Sequence, residues 1–275
     1  MLAKDLVPRL RKRGHEVVCP PEDEFDITDG GMVKGVVTAV GPAVLYNCAA
    51  YNFVDRAETE RERADTINGE GVHNLCLACS AEGIRLVHFS TDYVFDGTKN
   101  SPYRIDDEPN PINHYGRSKL AGERYVIDLV SEFYLVRTSW LFGVHGNNFV
   151  EAILKRARTH GELAVIDSET GCPTWTGHLA DAVIDVVDSE RYGIYHISNS
   201  GPATWYEFAE AILSLAKIRV PLNRTTPAAL NRAARRPTNS VLDPHPLPEV
   251  LGRTMPSWRE ALREYINLRM ELHGE

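Results

Sequence analysis

Tyr115 and Lys119 stand four residues apart in a segment that continues Leu120-Ala121-Gly122-Glu123-Arg124. In a helix that spacing is about one turn, so a phenol and an ammonium share a face. A nearby cation favours phenolate and lowers the tyrosine pKa toward working pH. The phenol can then pass a proton to or from a carbonyl or alcohol oxygen. Upstream, the apolar run Ile84 to Phe89 reads as a buried strand, and Ser90-Thr91-Asp92-Tyr93-Val94-Phe95 follows it. Thr91 sits just past the strand's carboxyl end, where ligands lie in an open α/β sheet, and its hydroxyl can hold the reacting oxygen. A bare Tyr-x-x-x-Lys is ordinarily a helix surface. A strand ending in Ser-Thr ahead of it makes the combination far more specific.

The elements that would position these groups must fit a chain of 275 residues, enough for one large domain or two modest ones with a full core. A net charge of -8 argues against a nucleic acid or an anionic membrane as partner. Lys4 and Asp5 interrupt the amino-terminal apolar residues, so no signal peptide is read. The longest apolar run, Val36 to Tyr51, is broken at Gly41-Pro42 and Asn47 and reads as helix end, turn and strand. Five irregularly spaced cysteines point to a reducing, cytoplasmic compartment. Cys76-Leu77-Ala78-Cys79 lies in a helical run and reads as buried packing rather than as a redox or zinc motif.

Taken in order, Asp5 to Arg13 is a short amphipathic helix with Leu6 and Leu10 on one face, ended by Gly14, and His15 to Cys19 begins a strand. A dinucleotide fold should open with a strand and a glycine-rich turn feeding that helix, so that backbone N–H groups hold the pyrophosphate. Met1-Leu2-Ala3 instead corresponds to the end of such a turn, and the natural start is expected upstream of Met1. After the strand, Pro21 occupies the position of a ribose-binding acid, with Glu22 beside it, so neither NADPH nor NADH is singled out. Asp26-Ile27-Thr28-Asp29 reads as a loop and helix cap. Ala43 to Cys48 is the next strand. Ala49 and Ala50 at its end, ahead of Tyr51, are small enough to let a cofactor approach the backbone.

Helix Val72 to Ala81 follows, then the strand ending at Thr91, a long polar loop from Asp92 to Pro111, the Tyr115 helix, and strand Phe133 to Arg137. Trp140, just past that strand, either packs on a sugar or base or is a core aromatic, and the pocket is preferred. Asn147-Asn148-Phe149 opens a helix over Val150 to Arg158. A strand at Leu163 to Ile166, a helix from His178, a strand at Gly193 to Ile197 and a helix at Trp205 to Leu215 complete the regular part. Beyond it the pattern becomes irregular until the amphipathic helix after Pro256. Arg232, Arg235 and Arg236 can clamp a pyrophosphate, although for Arg232 a solvated surface position is preferred.

The combination of Thr91, Tyr115 and Lys119 resembles the catalytic set of the extended short-chain dehydrogenase/reductase superfamily. With Asn47-Cys48-Ala49-Ala50-Tyr51, Asp96-Gly97, Arg137-Thr138-Ser139-Trp140, Gly146-Asn147-Asn148-Phe149 and Arg236-Pro237, the chain is similar over nearly its whole length to dTDP-4-dehydrorhamnose reductases. The resemblance implies an α/β fold, a Rossmann-like doubly wound parallel sheet truncated at its amino end, with a smaller carboxyl-terminal substrate lobe. Residues 1–140, joined by 175–200, would form the dinucleotide-binding core, and 141–174 with 201–275 the lobe. It implies reduction of the 4-keto group of a dTDP-6-deoxy sugar by NADPH or NADH. Tyr115 would donate the proton, Lys119 would hold the nicotinamide ribose, and Thr91 would orient the carbonyl.

Asp26, Ile27, Ala49, Ala50, Tyr51, Asn68 and Ser90 would flank the cofactor with Tyr115 and Lys119. For Asp26 a helix cap is an equal alternative, and for Asn68 a structural bond in a helix kink. Asp92, Tyr93, Val94, Trp140, Asn148 and Arg236 would border the substrate. No metal ligands are assigned, although some family members bridge subunits through a metal. A homodimer is a possible assembly. Sugar-nucleotide dehydratases of the superfamily typically show Thr-Asp-Glu where this chain has Thr91-Asp92-Tyr93, so plain keto reduction fits better than water elimination. Two other readings stay open. One is a non-catalytic subunit resembling the regulatory subunit of methionine adenosyltransferase, and the other is a reductase or epimerase of a different nucleotide-linked keto-sugar.

Overall fold

The computed structural model describes residues 1–21 and 23–273, so Glu22, weighed above as a ribose acid, lies outside the described residues. Four strands form one parallel sheet: β1 (Val44–Asn47), β2 (Arg85–Thr91), β3 (Phe133–Thr138) and β4 (Gly193–His196), side by side in that order. Registers such as Leu86 opposite Phe133 and Thr91 opposite Thr138 bring the carboxyl ends of β2 and β3 level with each other.

Side chains alternate across a strand, and the sequence exploits this to build a core on each face. On one face Leu45 and Leu86 pack against α2 (Gly30–Val40) and α3 (Gly71–Glu82) through Val33, Val37, Leu75 and Cys79. On the other, Val87, Tyr134 and Val136 meet α1 (Leu2–Lys12) and α6 (Thr176–Asp188) through Leu6, Leu10, Leu179 and Val183. Between these helices in sequence come α4 (His114–Leu129) and α5 (Phe149–Thr159). Local chemistry sets the boundaries. Asp29 caps α2 by accepting from the Met32 N–H at 3.0 Å, and Gly41 closes it at φ 54°, a conformation a side chain would resist. Cys76 and Cys79 are buried free thiols in α3, and burial pushes both up to about 12.

A third apolar cluster gathers Phe142, Val150 and Leu154 with α7 (Trp205–Leu215) and α8 (Trp258–His273) through Phe208, Ile212, Leu262 and Tyr265. Strand Leu163–Ile166 pairs there with Leu222–Thr225. The latter is hidden in the sequence because Leu-Asn-Arg-Thr carries one apolar residue.

The expected strand at His15 to Cys19 does not form; the segment is irregular and pairs with no strand. The outer edge of β1 likewise has no strand partner among the described residues. Both border a cavity of about 1420 Å³ that also reaches Leu6 and Val7 of α1. A segment whose ladder partner would lie in that cavity has nothing to bond to, so strand propensity alone does not organise it. Helix α1 is held from its other side, with Arg9 on Asp181 at 3.1 Å and Arg13 on Asp185 and Asp188 at 2.7 and 3.0 Å. No helix among the described residues is long and apolar enough to cross a membrane.

Candidate active site

Helix α4 carries Tyr115 and Lys119, and its start is fixed by Asn113. The Asn113 Oδ1 accepts from the Gly116 N–H at 2.8 Å, while Nδ2 donates to the Arg235 carbonyl at 2.9 Å. One cap therefore ties α4 to the loop that carries Arg235 and Arg236. Such a cap contributes about 1 kcal/mol. Two glycines let the helix lie against backbone. A Cβ on Gly116 would fall 2.1 Å from the Tyr93 carbonyl oxygen, and one on Gly122 would fall 2.3 Å from that of Asn68.

Within this frame the Lys119 Nζ donates to the Phe89 carbonyl at 2.7 Å, at the end of β2. Burial brings its pKa down to about 8, opposed by the charge of Glu123. For Tyr115 the shift runs against the sequence expectation. Burial raises it well above the ordinary phenol value, with a contact to the Thr91 side chain pulling it back. Desolvation outweighs the neighbouring cation, whose ammonium is directed at Phe89, so the free chain holds Tyr115 as a protonated donor. The Thr91 Oγ accepts from the Tyr93 N–H at 3.1 Å and donates to Asp92 Oδ1 at 3.0 Å. Burial lifts Asp92 to about 7, against the Thr91 hydrogen bond. The Tyr93 ring stands edge-on to Tyr115, centroids 6.0 Å apart.

Three buried polar atoms cluster at these strand ends without a hydrogen-bond partner: Ser90 Oγ, Asp92 Oδ2 and Thr138 Oγ1. Unsatisfied groups of this kind are expensive unless a ligand or water meets them. They fit a polar ligand beside Tyr115 and Lys119. Asp26, Ile27, Ala49 and Ala50, expected to flank a cofactor, line the cavity beside β1. Ala3, in the first turn of α1, lines the same cavity. The described residues hold no glycine-rich turn ahead of α1.

Other expected site residues take defined structural places. Asp26 forms a local turn, accepting from the Thr28 N–H and hydroxyl at 2.9 Å each, and Ile27 packs in the core against Val72 and Leu75. Asn68 lies in a wide helical turn, Thr66–Glu70. Its amide accepts from the Tyr51 N–H at 2.9 Å and donates to the Tyr51 carbonyl at 3.0 Å and the Ser118 hydroxyl at 2.9 Å. It clamps the loop after β1 to α4, which is the structural alternative weighed for it. Val94 is buried among Phe95, Tyr103, Leu120 and Leu242, a core position. Asn148 caps α5, accepting from the Glu151 N–H at 3.2 Å and donating to the Gly143 carbonyl at 2.8 Å. Trp140, at φ 46°, stacks on Trp205 with centroids 3.5 Å apart. Arg236 grips Asp55 through both terminal nitrogens, at 2.8 and 2.6 Å. Arg232, read as solvated, lies 3.5 Å from the Glu169 carboxylate, which also accepts from the Trp205 indole at 3.1 Å.

Sequence reasoning assigned no role to the Arg137–Glu123 pair. Arg137 on β3 donates to both Glu123 oxygens at 2.7 to 3.2 Å, with side chains 3% and 0% exposed. Glu123 is four residues beyond Lys119, one further turn along the same face, and that spacing was the available signal. The Asn113-x-x-Gly116 cap was likewise readable. The contact between Asp55 and Arg236, 181 residues apart, carried no local signal. Among the described residues no three His, Cys, Asp or Glu side chains gather to hold a metal.

A family model described as the RmlD substrate binding domain matches residues 1–270. The spore coat polysaccharide biosynthesis protein SpsK of Bacillus subtilis (strain 168) is 39% identical over 268 residues, covering 98% of this chain and 94% of that one. A dTDP-4-dehydrorhamnose reductase of Streptomyces griseus is 40% identical over 271 residues, with coverage of 96% and 89%. The crystal structure of dTDP-4-dehydrorhamnose reductase from Bacillus anthracis str. Ames in complex with NADP superposes with a TM-score of 0.94 at 36% identity, over 97% of this chain and 95% of that one.

Proposed function

The chain belongs to the dTDP-4-dehydrorhamnose reductase family, and from that premise we propose that it reduces the 4-keto group of dTDP-4-dehydro-6-deoxy-L-mannose to give dTDP-L-rhamnose, using NADPH or NADH. The observation that carries this reading is the set of Tyr115, Lys119 and Thr91 gathered at the ends of β2 and α4, beside three unsatisfied buried polar atoms. When bound, the dinucleotide supplies the hydride. Every other requirement falls on side chains of this chain.

Tyr115, kept protonated by burial, gives its proton to the carbonyl oxygen as negative charge develops there. Thr91, already oriented by its bonds to Asp92 and the Tyr93 N–H, holds that oxygen. Lys119, anchored at Phe89, places a positive charge in a dry site to stabilise the tyrosinate left behind and to hold the ribose. Tyr93, Asp92 and the stacked Trp140 line the sugar's side, and Arg236 faces the nucleotide. Ser90 meets the cofactor. The lobe of residues 141–174 and 201–275, with its own apolar core, holds the sugar nucleotide. The five free cysteines agree with a cytoplasmic setting for this biosynthetic step.

Tyr115→Phe tests the assignment. Turnover of the keto-sugar, followed as cofactor oxidation with the product identified by NMR, should fall roughly 10²- to 10⁴-fold while dTDP binding is kept. Unchanged turnover would overturn Tyr115 as donor. Binding of dTDP without cofactor oxidation on any keto-sugar would favour the non-catalytic subunit instead.

A further inference from the structure

The loop after β1 delivers Asp55 to the mouth of the crevice, and the loop ahead of Pro237 delivers Arg236 from the opposite lobe. Their side chains meet in the two-pronged geometry that a guanidinium also uses for phosphate oxygens. Asp55 further accepts from the Ala234 N–H at 3.0 Å, and Arg236 donates to the Ala234 carbonyl at 2.7 Å. The Arg236 bond holds the Asp55 carboxyl below the ordinary range, so it is ionised throughout neutral pH. The Asn113 amide, two residues ahead of Tyr115, donates to the carbonyl of Arg235, the residue before Arg236, so the pair sits beside the start of the helix that carries the proposed proton donor. The second arginine of this wall, Arg232, also faces a carboxylate, that of Glu169.

A diphosphate entering this crevice meets two arginines that carboxylates already hold, Arg236 by two prongs and Arg232 through one nitrogen. The two partners of the first pair differ in what they can do. The Arg236 side chain is 11% exposed, whereas that of Asp55 is 44% exposed, at the start of the short helical turn Arg56–Glu58. Release of the pair therefore moves the Asp55 carboxylate, the more exposed partner, which regains hydration as it leaves. Arg236 stays, aimed at the site.

We propose that Asp55 is a built-in stand-in for phosphate, occupying Arg236 in the empty site until an incoming nucleoside diphosphate displaces it. The proposal rests on the functional reading above and adds a threshold to it. Ligands without a diphosphate have nothing to exchange for Asp55 and leave the pair closed.

Calorimetric titration of dTDP and of thymidine into the full chain and its variants tests this. Asp55→Asn keeps an oxygen for the Ala234 N–H while deleting the competing charge, and Asp55→Ser serves as a second variant should the first fold poorly. Both should bind dTDP about two- to fivefold more tightly, the range expected for one partly exposed ion pair, with thymidine unchanged. In an Arg236→Gln background the gain should vanish, because it passes through that guanidinium. Unchanged or weaker dTDP binding in both Asp55 variants would show that Asp55 merely staples the loop, and a gain that survives without Arg236 would show a diffuse charge effect. Either result overturns the proposal alone. A folded wild-type chain that binds no dTDP overturns the functional reading and this proposal with it.

Discussion

The sheet has a closed half and an open half. Around β2, β3 and α4 every direction is filled: strands on both sides, glycine-to-backbone contacts, and an arginine–glutamate pair with almost no exposure. Around β1 one edge faces a cavity of about 1420 Å³, and the segment His15 to Cys19 beyond it remains irregular. The residues proposed to transfer the proton belong to the closed half. The residues expected to hold the adenosine half of a dinucleotide line the open one. The difference teaches that chemistry and cofactor capture are separately supported here, so damage to one need not spread to the other.

The strongest way to break the closed half is to leave one of its charges alone. Glu123→Ala strands the Arg137 guanidinium in a dry site and should cost about 3–5 kcal/mol of stability, read by urea denaturation. A cost under about 1 kcal/mol would mean that water reaches Arg137.

A paired substitution measures the contrast itself. Leu86→Ala on β2 removes a fully buried side chain and should cost about 2–5 kcal/mol. Leu45→Ala on β1 removes a half-buried one beside space that can relax, and should cost less than about 1.5 kcal/mol. Equal costs would erase the distinction between the halves.

Acid sharpens it more gently. His88 and His196 are buried and held neutral, His88 well below the ordinary imidazole value and His196 at about 3, both through burial. The unfolded chain gains a proton on each below about pH 6.5 and the folded chain does not, so stability falls as pH drops through that window. Asp92 works the other way. Its folded value of about 7 gives a contribution present below about pH 4 and lost as pH rises toward 7. Two protons against one leave about one net proton favouring the unfolded state between about pH 4 and 6, or about 1.4 kcal/mol per pH unit from these groups. Urea midpoints at pH 5 and 7 should show the decline, and His196→Asn should flatten it. An unflattened slope would place the acid sensitivity elsewhere.

Much of the closed half was legible in the sequence because its signals are local. Tyr115 and Lys119 share a face through helical spacing, and Ile84 to Phe89 is a continuous apolar run. What escaped has causes of a different kind. His15 to Cys19 has the composition of a strand, yet a strand is made by its partner. Val94 follows two polar site residues but turns into the core as the backbone winds through the short helical turn Asp92–Val94. The Asp55–Arg236 pair is created by tertiary approach alone. Burial, which no spacing displays, reversed the expected direction of the Tyr115 shift.

Gly116 and Gly122 leave no room for one added methyl between the catalytic helix and its neighbours. A part seated backbone on backbone serves as a gauge block. The height of the tyrosine hydroxyl above the strand ends is then set by covalent dimensions rather than by side-chain packing, and it does not drift as side chains loosen with temperature.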